Sequence, residues 1–279
     1  MVNPRTVEPA SLRTREPPNP RTMRTFKITL SYDGTEFSGF QRQANARSVQ
    51  AEVEAALVPI EGTRVTIAGA GRTDSGVHAL GQVASFRLAS PIAAADLLHA
   101  LNARLPEDVR VLAAEEADHG FHARFSARSK VYRYRVSNTP VMSPFQRRFA
   151  WHISRRLDVD AMSAAAREVV GEHDFSCFQA KGGVRTSTRT VTRSFWTEEP
   201  LAGGGRLLTY EIGGTGFLKY MVRNIIGTLV EVGDGRRTPA SIRELLVSGD
   251  RAAAGPTAPP VGLYLVRVDY DAARPVSFS

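Results

Sequence analysis

Residues 63–88 read TRVTIAGAGRTDSGVHALGQVASFRL. Thr63 to Ala70 alternate between polar and apolar in the period of two that suits a half-buried strand, and Gln82 to Leu88 form a second run rich in strand formers. Between them lies a glycine-rich loop with one carboxylate, Asp74, two residues after Arg72. Two nucleotide-binding motifs come close and fail. A dinucleotide fingerprint needs a third glycine where Asp74 stands and a helix after it, and a P-loop needs Gly-Lys-Ser/Thr where Gly76-Val77-His78 stands. The segment therefore predicts strand–loop–strand with no nucleotide cofactor. By spacing alone Asp74 is either a turn residue, chosen for its backbone preferences, or an ionised carboxylate aimed out of the sheet by guanidinium contact.

Working outward, FKITLSY (26–32) reads as a strand closed by Asp33-Gly34. Ser48 is a natural N-cap for a helix carrying Val49, Val53, Ala56, Leu57 and Ile60 on one face. Ser90-Pro91 predicts the start of a helix with Leu97, Leu98, Leu101 and Leu105 inward, and a strand follows at 109–113. The same order recurs further on: strand 130–136, a helix over 158–170, strands near 189–197 and 206–212, a helix over 217–232, a short helix at 240–247 and a last strand at 263–270. Glu172-His173-Asp174 reads as the capped, solvated end of the helix before it. Two successive β-α-β-β-α-β units predict an α+β protein of two ferredoxin-like lobes, forming an antiparallel sheet flanked by helices. The expected division is a disordered Arg/Pro-rich tail at 1–24, an N-terminal lobe at 25–118 with the Asp74 loop, and a C-terminal lobe at 119–279. If the helices cover one sheet face, the other is free to carry a nucleic acid.

Composition narrows the partner. The 279 residues carry a net charge of +8, which favours polyanions. Cys177 is the only cysteine, so no intrachain disulfide forms and a reducing, cytoplasmic setting is expected. Neither a membrane-spanning run nor a signal-peptide core is visible. Six histidines include no HExxH pattern, so no metal is expected. Two segments fit RNA. Phe121 to Arg135 holds five cations and four aromatics with no acid, and strand alternation sets Tyr132 and Tyr134 against Arg133 and Arg135. Lys181 to Arg193 adds four cations and five hydroxyls, the usual phosphate donors. Arg223 lies two positions off the apolar stripe of the 217–232 helix, so by pattern alone it is as well read as a plain surface cation.

With Gly71-Arg72-Thr73-Asp74-Ser75-Gly76-Val77-His78-Ala79, the chain resembles the tRNA pseudouridine synthases of the TruA family. The resemblance runs from Phe26 to Tyr270. It takes in Gly39-Phe40-Gln41-Arg42-Gln43, Phe121-His122-Ala123-Arg124-Phe125-Ser126-Ala127, Tyr132-Arg133-Tyr134, Met221-Val222-Arg223-Asn224-Ile225 and Gly262-Leu263-Tyr264-Leu265. Phe40 departs from the Trp often found before Gln-Arg-Gln. The resemblance implies two ferredoxin-like lobes, a homodimer and tRNA held in a basic cleft. It implies conversion of uridine to pseudouridine at positions 38–40 of the anticodon stem-loop, without cofactor or metal. By motif, Asp74 would be the catalytic nucleophile and Arg223 its ion-pair partner. Arg72 would help displace the target base, and Tyr132 would stack on the uracil and help remove its C5 proton. A non-catalytic RNA-binding or RNA-folding protein of the same fold is the competing expectation; a glycosidase-like hydrolase would need a second carboxylate.

Overall fold

The computed structural model describes residues 23–180, 182 and 186–270. Most of the expected tail, and Lys181 and Arg185 of the basic loop, lie outside these. In chain order the elements are β1 (Arg24–Tyr32), α1 (Val49–Glu61), β2 (Ala68–Gly69), β3 (His78–Leu88), α2 (Ala94–Asn102), β4 (Val109–Ala117), β5 (Ser129–Asn138), β6 (Trp151–His152), α3 (Val159–Arg167), β7 (Gly171–Asp174), β8 (Thr188–Pro200), β9 (Arg206–Gly214), α4 (Met221–Gly233), α5 (Ser241–Ser248) and β10 (Leu263–Asp269). The chain is α+β, with a mostly antiparallel sheet flanked by helices, as the residue pattern predicts.

The strands form one sheet in the order β4-β1-β3-β10-β5-β9-β8-β7, with β2 on β3 and β6 on β5. Its two ends follow the same path, since β4-β1-β3-β2 is matched by β10-β5-β9-β8. They join through β3. Near its end β3 pairs antiparallel with β2 (Ser85 with Ala68, Ala84 with Gly69), whereas at its start it pairs parallel with β10 (His78 with Tyr264, Ala79 with Leu265). One edge of β3 thus serves two partners, and the chain between β2 and β3 must leave the sheet where β10 enters. That chain, residues 70–77, carries Asp74.

This shared edge explains the main departure from the sequence reading. The strand expected over 63–70 shrinks to two residues. Glu54 of α1 accepts from the Ile67 N–H at 3.2 Å, and Gln50 donates to the Ile67 carbonyl at 3.2 Å. Buried helix side chains satisfy the backbone groups a strand partner would otherwise take. Ser48 caps α1 as expected, accepting from the Ala51 N–H at 3.4 Å. The expected opening of α2 at Ser90-Pro91 fails: the N–H groups of Ala89 and Ser90 go to the Glu61 carboxylate, and the helix starts at Ala94 without a side-chain cap. The helix expected over 158–170 ends at Arg167, and Glu172-His173-Asp174 belong to β7, paired with β8. Residues 188–193 of the supposed basic loop are likewise strand.

The core is continuous from Phe26, Ile28 and Leu57 at one end to Tyr210, Ile225 and Leu229 at the other. Each such side chain contributes about 1.5–3 kcal/mol on burial. At Gly81 the two ends approach closely, since a Cβ there would lie 2.4 Å from the Val266 carbonyl oxygen. Gly81→Val should therefore force β10 away from β3, costing on the order of 2–4 kcal/mol. Thermal unfolding should show a drop of several degrees, and an unchanged midpoint would refute the shared edge.

Candidate active site

The Asp74 loop is held from below by residues 37–50. Gly39 has φ +99°, and a Cβ there would meet the Thr73 carbonyl oxygen at 2.7 Å, so only glycine lets the two segments touch. Phe40 N–H donates to the Thr73 carbonyl, and Gly76 N–H donates to that of Phe37. The Tyr32 hydroxyl lies 2.8 Å from that of Thr73, and Gln82 donates to the Gly71 carbonyl at 2.9 Å. Phe40 is buried under Gly69, where any side chain would strike its ring. The departure from Trp thus leaves an aromatic floor in place.

Arg223 arrives from the other end of the sheet. The helix expected from residue 217 begins only at Met221, because Tyr220 takes a left-handed conformation (φ 64°), the one positive φ among described residues other than glycine. Such a backbone is strained for a bulky residue and persists only where its surroundings enforce it. Here the Tyr220 ring supports both nearby cations, with the Arg223 guanidinium and the Lys219 ammonium each 5.1 Å from its centroid. Arg223 Nε donates to the Ala258 carbonyl at 2.7 Å, and its own carbonyl accepts from Ala258 N–H. The next residue, Asn224, is fully buried: it donates to the Phe178 carbonyl and accepts from Arg251 and Thr257. Far from being a surface cation, Arg223 has a side chain only 13% exposed.

These two elements bring Arg223 Nη1 to 3.4 Å from Asp74 Oδ2. That is a loose contact rather than a forked pair. Among the described residues Asp74 Oδ1 accepts no hydrogen bond, and Asp74 lines a cleft of about 870 Å³. Burial holds the Asp74 carboxyl above its ordinary range, although Arg223 first and Lys219 second pull the other way. The sequence reading expected guanidinium contact to keep the acid negative. In the structure that contact is present, and burial works against it, raising the carboxyl above its ordinary value.

Tyr132 lies in the same cleft, nearly buried, with Phe217 edge-on at 5.1 Å. Burial, reinforced by Tyr32 and Asp74, pushes its phenol far above the ordinary value. The ring is therefore neutral in the substrate-free cleft, as a stacking surface requires. Arg72 lines the cleft without touching Asp74, and its Nε donates to Gln41 at 3.0 Å. Of the other expected RNA contacts, Arg133 and Arg193 both pair with Glu211, and Arg135 lies over Tyr264. Phe125 is 77% exposed in the cleft lining, beside Arg124 and His122. Sequence reasoning missed Lys219 and Tyr220, which it placed inside a helix.

Asp74 is the only acid lining the cleft among the described residues, against five lysines and arginines. No group of three or more potential metal ligands occurs among them either. A family model described as tRNA pseudouridine synthase matches residues 28–126 and 165–271. The chain belongs to the tRNA pseudouridine synthase family. It is 44% identical over 248 residues to tRNA pseudouridine synthase A of Geotalea uraniireducens, covering 89% of this chain and 100% of that one. With tRNA pseudouridine synthase A of Brevibacillus brevis it shares 46% over 249 residues, again 89% of this chain and all of the relative. The corresponding protein of Thermosipho melanesiensis is 45% identical over 247 residues, 88% of this chain and 99% of its own. For this family member no helix among the described residues is long and apolar enough to cross a membrane.

The raised carboxyl has two measurable consequences. Because the folded protein binds the Asp74 proton more tightly than the unfolded chain, ionising it costs stability once pH exceeds the ordinary carboxyl range, and the full cost applies above the folded value. Asp74→Asn should therefore melt no lower than the parent at pH 7, and a clear drop in Tm would contradict the burial argument. Arg223→Gln removes the main force opposing burial. It should move the acidic limb of the activity–pH profile to higher pH, where an unmoved limb would disconnect the two residues.

Proposed function

We propose that this protein isomerises uridine to pseudouridine in tRNA, at positions 38–40 of the anticodon stem-loop, with Asp74 as the group that acts on the target nucleoside. The observation that carries the reading is the meeting of Asp74, Arg223 and Tyr132 in one cleft of a tRNA pseudouridine synthase family member. The reaction breaks the N1–C1′ bond, turns the freed uracil and joins C5 to C1′; the proton leaves C5 and one is taken up at N1, so substrate and product are isomers. A carboxylate serves it by attacking C1′ or by taking a proton from the sugar, and in both cases the ionised acid is the reactive form. The apolar walls supplied by Phe217, Leu263 and Tyr132 keep water from the intermediate.

Tyr132 offers its ring to the everted uracil, which offsets the cost of leaving the stack. Arg72, free of Asp74 and at the exposed rim, is placed to enter the vacated position in the RNA. The excess of cations over acid in the lining supports a polyanionic substrate and tells against glycoside hydrolysis, which works with a pair of carboxylates. We read the molecule as a cytoplasmic homodimer with a lobe boundary at 118–119. The matching strand orders support the two lobes, and the exposed Val141 and Phe145 (81% and 89%) support an interface.

Incubation with unmodified tRNA, followed by mapping of pseudouridine, is the direct test. New pseudouridine within 38–40 is expected, and its absence refutes the assignment. Asp74→Asn should lower turnover at least about 10³-fold while tRNA affinity stays within a few fold. A variant that turns over normally would remove Asp74 from the chemistry. Affinity should fall steeply between low and physiological salt as phosphate contacts release counterions.

A further inference from the structure

Lys130 lines the cleft with no partner for its charge among the described residues. It is the second residue of β5, two before Tyr132, so the two side chains leave the same face of the strand. Its half-buried ammonium sits over the loop that carries Asp74, where a Cβ added at Gly71 would come within 3.3 Å of Nζ. Across the sheet Lys130 faces Gly214 on β9 and Val268 on β10, neither of which can supply an acceptor side chain. The charged group that presses on it is another cation, Arg124. Nearby basic residues of β5 fare differently, since Arg133 pairs with Glu211 and Arg135 lies over Tyr264. A cation withdrawn from water without an anion is costly, and burial accordingly lowers the ammonium's affinity for its proton. Structural lysines avoid that arrangement, whereas a ligand-binding lysine meets its anion when the ligand arrives.

We propose that Lys130 binds a phosphate of the everted nucleotide, the one adjoining the base that stacks on Tyr132. Residues i and i+2 of a strand stand about 7 Å apart, comparable to the span from a nucleotide's base to its own phosphate. Tyr132 and Lys130 thus form a two-point gauge: the ring receives the base, the ammonium receives the backbone, and C1′ between them is presented to Asp74. The phosphate also supplies the counter-charge that the protein withholds, so the contact forms only with a substrate everted to the correct depth.

The inference rests on the reading of the cleft as an RNA site, and the experiment separates the two. Binding of an anticodon stem-loop is measured against salt for the parent, Lys130→Met and Lys130→Arg. The same is done with stem-loops in which the phosphate 5′ or 3′ to the target uridine is a neutral methylphosphonate. Lys130→Met should weaken binding about tenfold at low salt and reduce the slope of log affinity on log salt by about 0.7, the value for one phosphate on single-stranded RNA. KM should rise more than kcat falls, and Lys130→Arg should recover most of the loss. One methylphosphonate should weaken the parent equally and the Met variant no further. A folded Lys130→Met protein with the parent's slope, or losses that add for both phosphates, would overturn the proposal while leaving the enzyme's assignment intact. A parent that binds the stem-loop without salt dependence would overturn both.

Discussion

The structure depends on a single strand edge that serves two partners. β3 pairs with β2 over Ala84 and Ser85 and with β10 over His78 and Ala79, so the two ends of the sheet become one while β2 is cut short. The polypeptide between those pairings cannot stay in the sheet plane. It rises as the Asp74 loop, at the seam where side chains from both ends converge. The cleft is therefore a consequence of how the sheet closes, and its two central charges lie 149 residues apart in sequence.

At that seam opposing electrostatic effects meet. Burial works against the Asp74 charge, and Arg223 with Lys219 recovers only part of the cost. A tighter, forked pairing would lower the carboxyl but would occupy both of its oxygens. The 3.4 Å approach keeps a cation near without consuming the carboxylate. Holding Arg223 there requires structure of its own: the strained Tyr220 backbone, the Ala258 carbonyl and the buried hydrogen bonds of Asn224. Gly227 adds to this by admitting the Pro256 carbonyl, which any side chain at that position would block. The half-buried acid costs stability that the packing and hydrogen bonds around its partner offset.

Much of the site was legible along the chain because its parts are local. Asp74 stood out as the lone acid in a loop bounded by strands, and the Ser48 cap and the helical spacing of Val49, Val53 and Leu57 read directly into α1. Tyr132 was legible through strand alternation. Arg223 was legible only through the family motif and not through its helical pattern, because its burial comes from the segment near Ala258 and from Tyr220. The expected strand at 63–70 failed for a related reason. Its alternation is real, but its hydrogen-bonding partners turned out to be Gln50 and Glu54.

By itself the sequence determined what short-range physics controls: the order of strands and helices, the cap of α1, the loop chemistry around Asp74, the basic charge balance and the motifs of the family. Tertiary structure alone decided which cations are already spent and which remain open. Arg133 and Arg193 turn to Glu211, Arg72 to Gln41 and Arg223 to Asp74, while Lys130 faces the cleft with no partner among the described residues. The reason is that a charge is defined chemically by its neighbours in space, and in a sheet whose central strands come from opposite ends of the chain those neighbours are remote in sequence.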